Sequence, residues 1–210
     1  MLQLLCLVEN FLRLQIETLR RQAGGLGIDG RQQFVRLIVC LSAGQSGIGE
    51  LDIFVDWLVA DACKLSLPTK LFGPVRSLLL QTAANQPQVC VHRDFHCKNL
   101  LLIEPKTTDG TSYDVGVLDF QDALVGPSGY DLASLLHDCY WKFPDPVITQ
   151  VIERQTPQTP EINRRSIDLL AVQRQLKAIG IFARLAIRDQ KVSHLPHIEP
   201  VMNNLIDLCG

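Results

Sequence analysis

Between residues 88 and 122 short apolar runs alternate with dense polar ones, and that order constrains the chain more than any other feature. The run Q-V-C-V (Gln88–Val91) leads into His92-Arg93-Asp94-Phe95-His96-Cys97-Lys98-Asn99, and L-L-L-I (Leu100–Ile103) follows at once. After a loop from Glu104 to Asp114, V-G-V-L (Val115–Leu118) leads into Asp119-Phe120-Gln121-Asp122. Four-residue apolar runs bounded by polar turn formers read as short strands, and the second and third make a hairpin. Asp94 then sits on the loop at a strand's end, and Asn99 stands just before the next strand. The hairpin returns Asp119 to the same end, provided its register holds, because a one-residue slip would send that side chain to the opposite face.

One loop thus presents a carboxylate, an amide and a second carboxylate to one point. Oxygen ligands of this kind suit Mg²⁺, which takes few protein groups together with substrate phosphates. A free carboxylate beside them can accept a proton from an attacking hydroxyl. His92, His96 and Cys97 are of zinc-ligating type, but no fourth ligand stands at a fitting spacing.

Helical patterns dominate the rest. Leu5, Val8, Leu12, Ile16 and Leu19 share one face of a first helix, and Arg31–Leu41 reads as a second. Leu51, Phe54, Val55, Leu58, Val59 and Ala62 follow helical spacing, as does Leu71–Ala83. Beyond the strands, helices are expected over Tyr130–Cys139, Asn163–Arg188 and Pro200–Leu208. Pro144, Pro146, Pro157 and Pro160 mark a linker. A small β-hairpin wrapped by many helices is an α+β pattern.

The 210 residues are enough for one sizeable core. The net charge of −2 argues against a generally basic nucleic-acid binder. The seven cysteines are scattered and include no Cys-x-x-Cys pair, which points to a reducing, cytoplasmic setting rather than a disulfide framework or zinc ribbon. No apolar run reaches 18 residues, so no spanning helix and no membrane partner are expected. The N-terminus lacks a basic leader before its apolar residues, and looks as if it begins within a fold.

The His-Arg-Asp-x-x-x-x-Asn run at 92–99, followed by Asp119-Phe120, resembles the catalytic loop and metal motif of the kinase fold. His96 stands where protein kinases usually carry Lys, Gln121 replaces the glycine of Asp-Phe-Gly, and no Ala-Pro-Glu follows. Those departures resemble the aminoglycoside phosphotransferase and choline kinase superfamily of small-molecule kinases. Leu118–Pro127 (LDFQDALVGP), Tyr130–Leu136 (YDLASLL), Gln173–Leu185 and Glu50–Trp57 are similar to the N-acetylmuramate/N-acetylglucosamine anomeric kinases. That group phosphorylates the anomeric hydroxyl of a cell-wall amino sugar with ATP during peptidoglycan recycling.

The resemblance implies that Asp94 is the catalytic base, that Asn99 and Asp119 hold Mg²⁺, and that ATP and a small sugar are the ligands. It implies that His92 and Asp131 support the catalytic loop, although Asp131 could equally cap its own helix. His96, Lys98, Gln121 and Asp122 become candidates for contacts to substrate or phosphate. Rival readings are another aminoglycoside- or choline-type kinase, or an inactive fragment that binds a partner.

A kinase of this fold also needs an N-terminal lobe with a glycine-rich strand pair and a strand lysine. Gly44–Gly49 and Lys64 imitate these, but the intervening pattern is helical, so the glycines read as a turn before a helix starting near Glu50. Residues 1–210 therefore read as the mainly helical C-terminal lobe alone. The nucleotide lobe would be missing or separately encoded. Arg174, Lys177, Arg184 and Arg188 fall on one face of the long helix, read either as a solvated basic face or as a meeting place for an acidic group.

Overall fold

The computed structural model describes residues 48–103 and 114–209. The helices expected within residues 1–41 and most of the hairpin loop lie outside the described residues. In chain order the elements are α1 (Ile48–Ile53), which continues as a π-helix over Phe54–Ala62, α2 (Thr69–Ala84), β1 (Gln88–Val91), β2 (Leu100–Ile103), β3 (Asp114–Val117), β4 (Leu124–Pro127), α3 (Tyr130–Leu136), α4 (Asp145–Gln155), α5 (Arg164–Arg188) and α6 (Ile198–Cys209). This is a mainly helical α+β fold. No helix among the described residues is long and apolar enough to cross a membrane.

The chain divides into two units. The first comprises, among the described residues, 48–81 and 172–209. Its core holds Leu51, Phe54, Leu58, Ile179, Phe182 and Met202, all buried. The described helix already includes Ile48 and Gly49, so Gly49 lies within a helix rather than in the turn expected before it. From Phe54 the winding widens, and the Cys63 N–H reaches the Leu58 carbonyl at 2.9 Å, five residues back. Where the winding changes, a Cβ on Gly180 would lie 2.7 Å from the Phe54 nitrogen and 2.8 Å from the Ile53 carbonyl carbon. Glycine in the middle of a long helix costs helix propensity; here it permits backbone against backbone.

The basic face expected on α5 is in large part interior. Arg174 and Lys177 are buried, and the Lys177 ammonium pairs with Glu50, itself buried, at 2.9 Å. Burial, then the nearby Arg188 charge, lowers the pKa of Arg184, while Arg188 pairs with Asp189 at 2.7 Å. Periodicity groups these cations on one stripe, but it does not show that an acidic residue 127 positions upstream receives one of them.

The second unit, residues 82–171, carries four strands in two antiparallel pairs, β1 with β4 and β2 with β3. The hairpin of β2 and β3 matches expectation to within one residue, with Leu100 opposite Val117. Strand β4 was not expected, because L-V-G-P is short and contains Gly and Pro, both poor strand formers. Gly126 is what β1 requires there: a Cβ would come 2.7 Å from the Val91 side chain, which is buried. Helix α4 occupies part of the segment read as a proline linker. Pro146 falls in its first turn, where a missing N–H costs nothing, and Ile148 and Ile152 bury one face.

Candidate active site

The second unit assembles both sequence motifs at one end of the β2–β3 hairpin. Strand β1 ends at Val91, and the chain then turns through His92–His96 into a single 3₁₀ turn, Cys97–Asn99, that delivers β2. Past the paired Leu100 and Val117, the ladder gains one further bond, from the Leu118 N–H to the Asn99 carbonyl at 2.9 Å. That bond sets Asn99 beside the residue preceding Asp119. The Asn99 side-chain amide donates to the Asp94 carbonyl at 2.9 Å. Only the NH₂ can donate to a carbonyl, so the amide oxygen of Asn99 is left as an acceptor.

His92 ties the two motifs together. Its Nε2–H donates to the Leu118 carbonyl at 2.8 Å, and its ring meets Phe95 edge-on at 5.8 Å. It is therefore a positioning group. Asp131, in the first turn of α3, accepts the His92 N–H at 2.7 Å and the Arg93 N–H at 3.0 Å. Both of its oxygens thus face the loop, and the helix's own N-cap makes no side-chain capping bond. Arg93 (φ 75°) and Asp119 (φ 67°) both adopt the left-handed backbone region, which is uncommon for residues other than glycine. Each is held at the junction of a strand with its motif.

The other candidates are distributed less evenly. Asp119 is exposed just before the 3₁₀ turn Phe120–Asp122, and it accepts the Gln121 amide at 2.8 Å. Gln121 therefore addresses the neighbouring carboxylate, and Asp122 is exposed with no hydrogen bond or ion pair to the other candidates among the described residues. Lys98 is exposed, its ammonium 3.5 Å above the centre of the Tyr140 ring. His96 meets the same ring edge-on at 5.3 Å.

The sequence reading passed over Asp138. It follows α3 by two residues and is 2 % exposed, and its carboxylate accepts the Cys97 N–H and the Tyr140 N–H, both at 2.7 Å. An aspartate between His137 and Cys139 carries no motif, so nothing in the sequence separates it from a surface residue. The Cys97 thiol is pushed up to about 11, first by desolvation and then by this carboxylate, so it is protonated at neutral pH.

Residues 32–170 match the phosphotransferase enzyme family. The chain belongs to that family. It is 38% identical over 159 residues to the N-acetylmuramate/N-acetylglucosamine kinase of Pseudomonas aeruginosa, a match covering 70% of this chain and 45% of that protein. A kinase of the same name from Neisseria meningitidis serogroup B is 36% identical, over 74% of this chain and 48% of the relative. The one from Caulobacter vibrioides is 31% identical, over 75% and 44%. The chain spans about half the length of the curated relatives it matches.

In this member of the family, the donor set can be tested against a magnesium ion. Among the described residues no group of three or more His, Cys, Asp or Glu side chains could hold a metal. One carboxylate, Asp119, and one amide oxygen, Asn99, are donors of the kind Mg²⁺ takes in small number, with one Asp119 oxygen bonded by Gln121 here. That ion dehydrates reluctantly and completes its shell with water and substrate phosphates. The same sparse set offers little to zinc, and the Nε2 of His92 is already engaged.

Proposed function

We propose that residues 1–210 form the C-terminal lobe of an ATP-dependent amino-sugar kinase that phosphorylates the anomeric hydroxyl of N-acetylmuramate or N-acetylglucosamine. The observation that carries this reading is the joint between the two motifs: the Leu118 N–H on the Asn99 carbonyl, with the Asn99 amide on the Asp94 carbonyl. It brings Asp94, Asn99 and the residue before Asp119 to one hairpin end, which supports reading them as a proton acceptor and two oxygen ligands. The names of the relatives supply the sugar.

In the proposed reaction the sugar hydroxyl oxygen bonds to the γ-phosphorus of ATP. The bond from that phosphorus to the β–γ bridging oxygen breaks, and ADP departs with the electron pair. The Asp94 carboxylate takes the hydroxyl proton. Asn99 and Asp119 would hold Mg²⁺, which when bound would supply charge neutralisation on the phosphate oxygens. Asp131 and His92 keep the loop and the Leu118–Asp119 segment in one arrangement, so positioning supplies much of the rate.

The hairpin offers a floor for the nucleotide base. Leu100, Leu102, Val115 and Val117 share one face of β2–β3 by register, and Leu102 is 78% exposed. An exposed apolar face on the hairpin that also carries the proposed phosphate-binding groups suits an adenine ring. The phosphates would be clamped from the other side by a nucleotide lobe, in keeping with relatives about twice as long. The proposed setting is the cytoplasm, where ATP and reduced cysteines coexist.

The test is a phosphotransfer assay with Mg·ATP and a panel of N-acetylmuramate, N-acetylglucosamine, an aminoglycoside and choline. Products are read by ³¹P NMR. The chain alone should transfer negligibly, and the chain supplied with a nucleotide lobe in cis or in trans should make the sugar 1-phosphate. Transfer to choline or the aminoglycoside in preference to both sugars would overturn the substrate assignment. Full-rate transfer by the chain alone would overturn the lobe assignment.

A further inference from the structure

The loop that bears Asp94 is held along α3 at two places. Asp131 takes the amides of His92 and Arg93 at the helix's first turn. Asp138, just past the helix's end, takes the amide of Cys97. Seven residues separate the two carboxylates, about two helical turns, or roughly 10 Å of rise for the helical part. Between the two anchored stretches lie Asp94, Phe95 and His96, and the Asp94 carbonyl is in turn bonded by Asn99.

Asp138 is the more deeply buried of the two carboxylates, at 2 % exposure. A carboxylate removed from water persists only where charge-assisted bonds compensate its lost hydration. Its Oδ2 accepts the Cys97 N–H and its Oδ1 the Tyr140 N–H, so one group ties the second half of the loop to the segment after α3. The Tyr140 ring, placed by that second bond, carries the Lys98 ammonium at 3.5 Å and packs against His96. The side chains on either side of Cys97 therefore rest on a ring whose backbone is fixed by the same carboxylate. Asn99 follows Lys98 directly, at the end of the 3₁₀ turn that Cys97 begins.

We propose that Asp138 is a second positioning residue of the phosphotransfer loop, acting through the Cys97 amide and the Tyr140 platform to hold His96, Lys98 and Asn99 in register with Asp94. The proposal builds on the kinase reading of the loop. A neutral isostere cannot replace the group. Asparagine keeps one acceptor oxygen, while its NH₂ would face one of the two N–H donors, so one of the two bonds is lost.

The test compares Asp138→Asn and Asp138→Ala with the unaltered chain by amide hydrogen exchange, resolved to peptides. The expected result for Asp138→Asn is at least about tenfold faster exchange in peptides covering 93–100 and 138–141, with peptides from 172–188 unchanged. Uniform acceleration throughout the chain would show that the residue serves folding alone and overturn the proposal, as would unchanged exchange in 93–100. Should Asp138→Ala not fold, the isosteric variant carries the comparison. In the lobe-supplied phosphotransfer assay, Asp138→Asn should lower kcat by up to about 10²-fold, the scale of a small misplacement, with the KM for ATP within about twofold. A raised KM at unchanged kcat would overturn the positioning role. The exchange measurement needs no turnover, so an inactive unaltered protein would count against the kinase reading and leave the two-carboxylate clamp to be judged by exchange.

Discussion

Asp94 and Asp131 are both aspartates on short polar segments, and their surroundings give them different tasks. Asp94 has its backbone carbonyl held by Asn99, and in the proposed reaction its carboxylate meets the sugar hydroxyl. Asp94→Asn keeps the shape and removes the proton acceptor. Phosphotransfer by the lobe-supplied protein should fall by about 10²–10⁴-fold, while thermal unfolding stays within a degree or two of the parent. Undiminished turnover would remove Asp94 from the chemistry. Asp131 instead spends both oxygens on loop amides. As a helix-terminus charge it would contribute roughly 0.3–1 kcal/mol, whereas hydrogen bonds to a charged group contribute roughly 1.5–3 kcal/mol each. Urea denaturation of Asp131→Ala should show a loss of about 3 kcal/mol, and a loss below about 1 kcal/mol would return the residue to capping. The sequence left capping and bracing equally open, because the choice depends on where the loop lies relative to α3.

At the level of elements, the hairpin was legible and its neighbours less so. Two four-residue apolar runs either side of a polar loop leave few alternatives, and the second of them, read as Val115–Leu118, is observed one residue earlier, as Asp114–Val117. Strand β4 and helix α4 were hidden behind Gly and Pro. Those residues weaken a strand or helix on average but are tolerated at an edge pair and in a first turn. The long helix α5 shows the same logic in reverse. Gly180 is a defect by propensity, worth roughly 1 kcal/mol against Ala. Yet an added Cβ would meet main-chain atoms of Ile53 and Phe54 at under 3 Å, and these cannot rotate away. Overpacking of this kind costs roughly 1–3 kcal/mol. Gly180→Ala should therefore lower the unfolding midpoint despite its better helix propensity, and a raised midpoint would show that the crossing can open without cost.

For the whole molecule, the family assignment and the exposed hairpin face bear on the same question of what the chain works with. Leu102 and Val115 stand opposite each other in the ladder, at 78% and 54% exposure. Substitution at so exposed a position should change stability by no more than about 0.5 kcal/mol. If the face is the floor of the base site, Leu102→Glu should weaken binding of a fluorescent ATP analogue by about tenfold in the lobe-supplied protein. That would follow from lost apolar contact and a misplaced charge beside the phosphates. Equal affinities for the two proteins would assign the face elsewhere.

The sequence by itself determined the strand–loop–strand order, the spacing of Asp94, Asn99 and Asp119, and through them the resemblance to small-molecule kinases. These are properties of short segments, where a two-residue side-chain period and a few turn residues leave little freedom. The tertiary structure decided which carboxylates hold the loop, why Gly180 is needed, and that Lys177 lies inside against Glu50. Each of these joins residues far apart in the chain. A buried charge or a missing Cβ has meaning only once its neighbours are known, and the neighbours are chosen by packing of the whole chain rather than by local pattern.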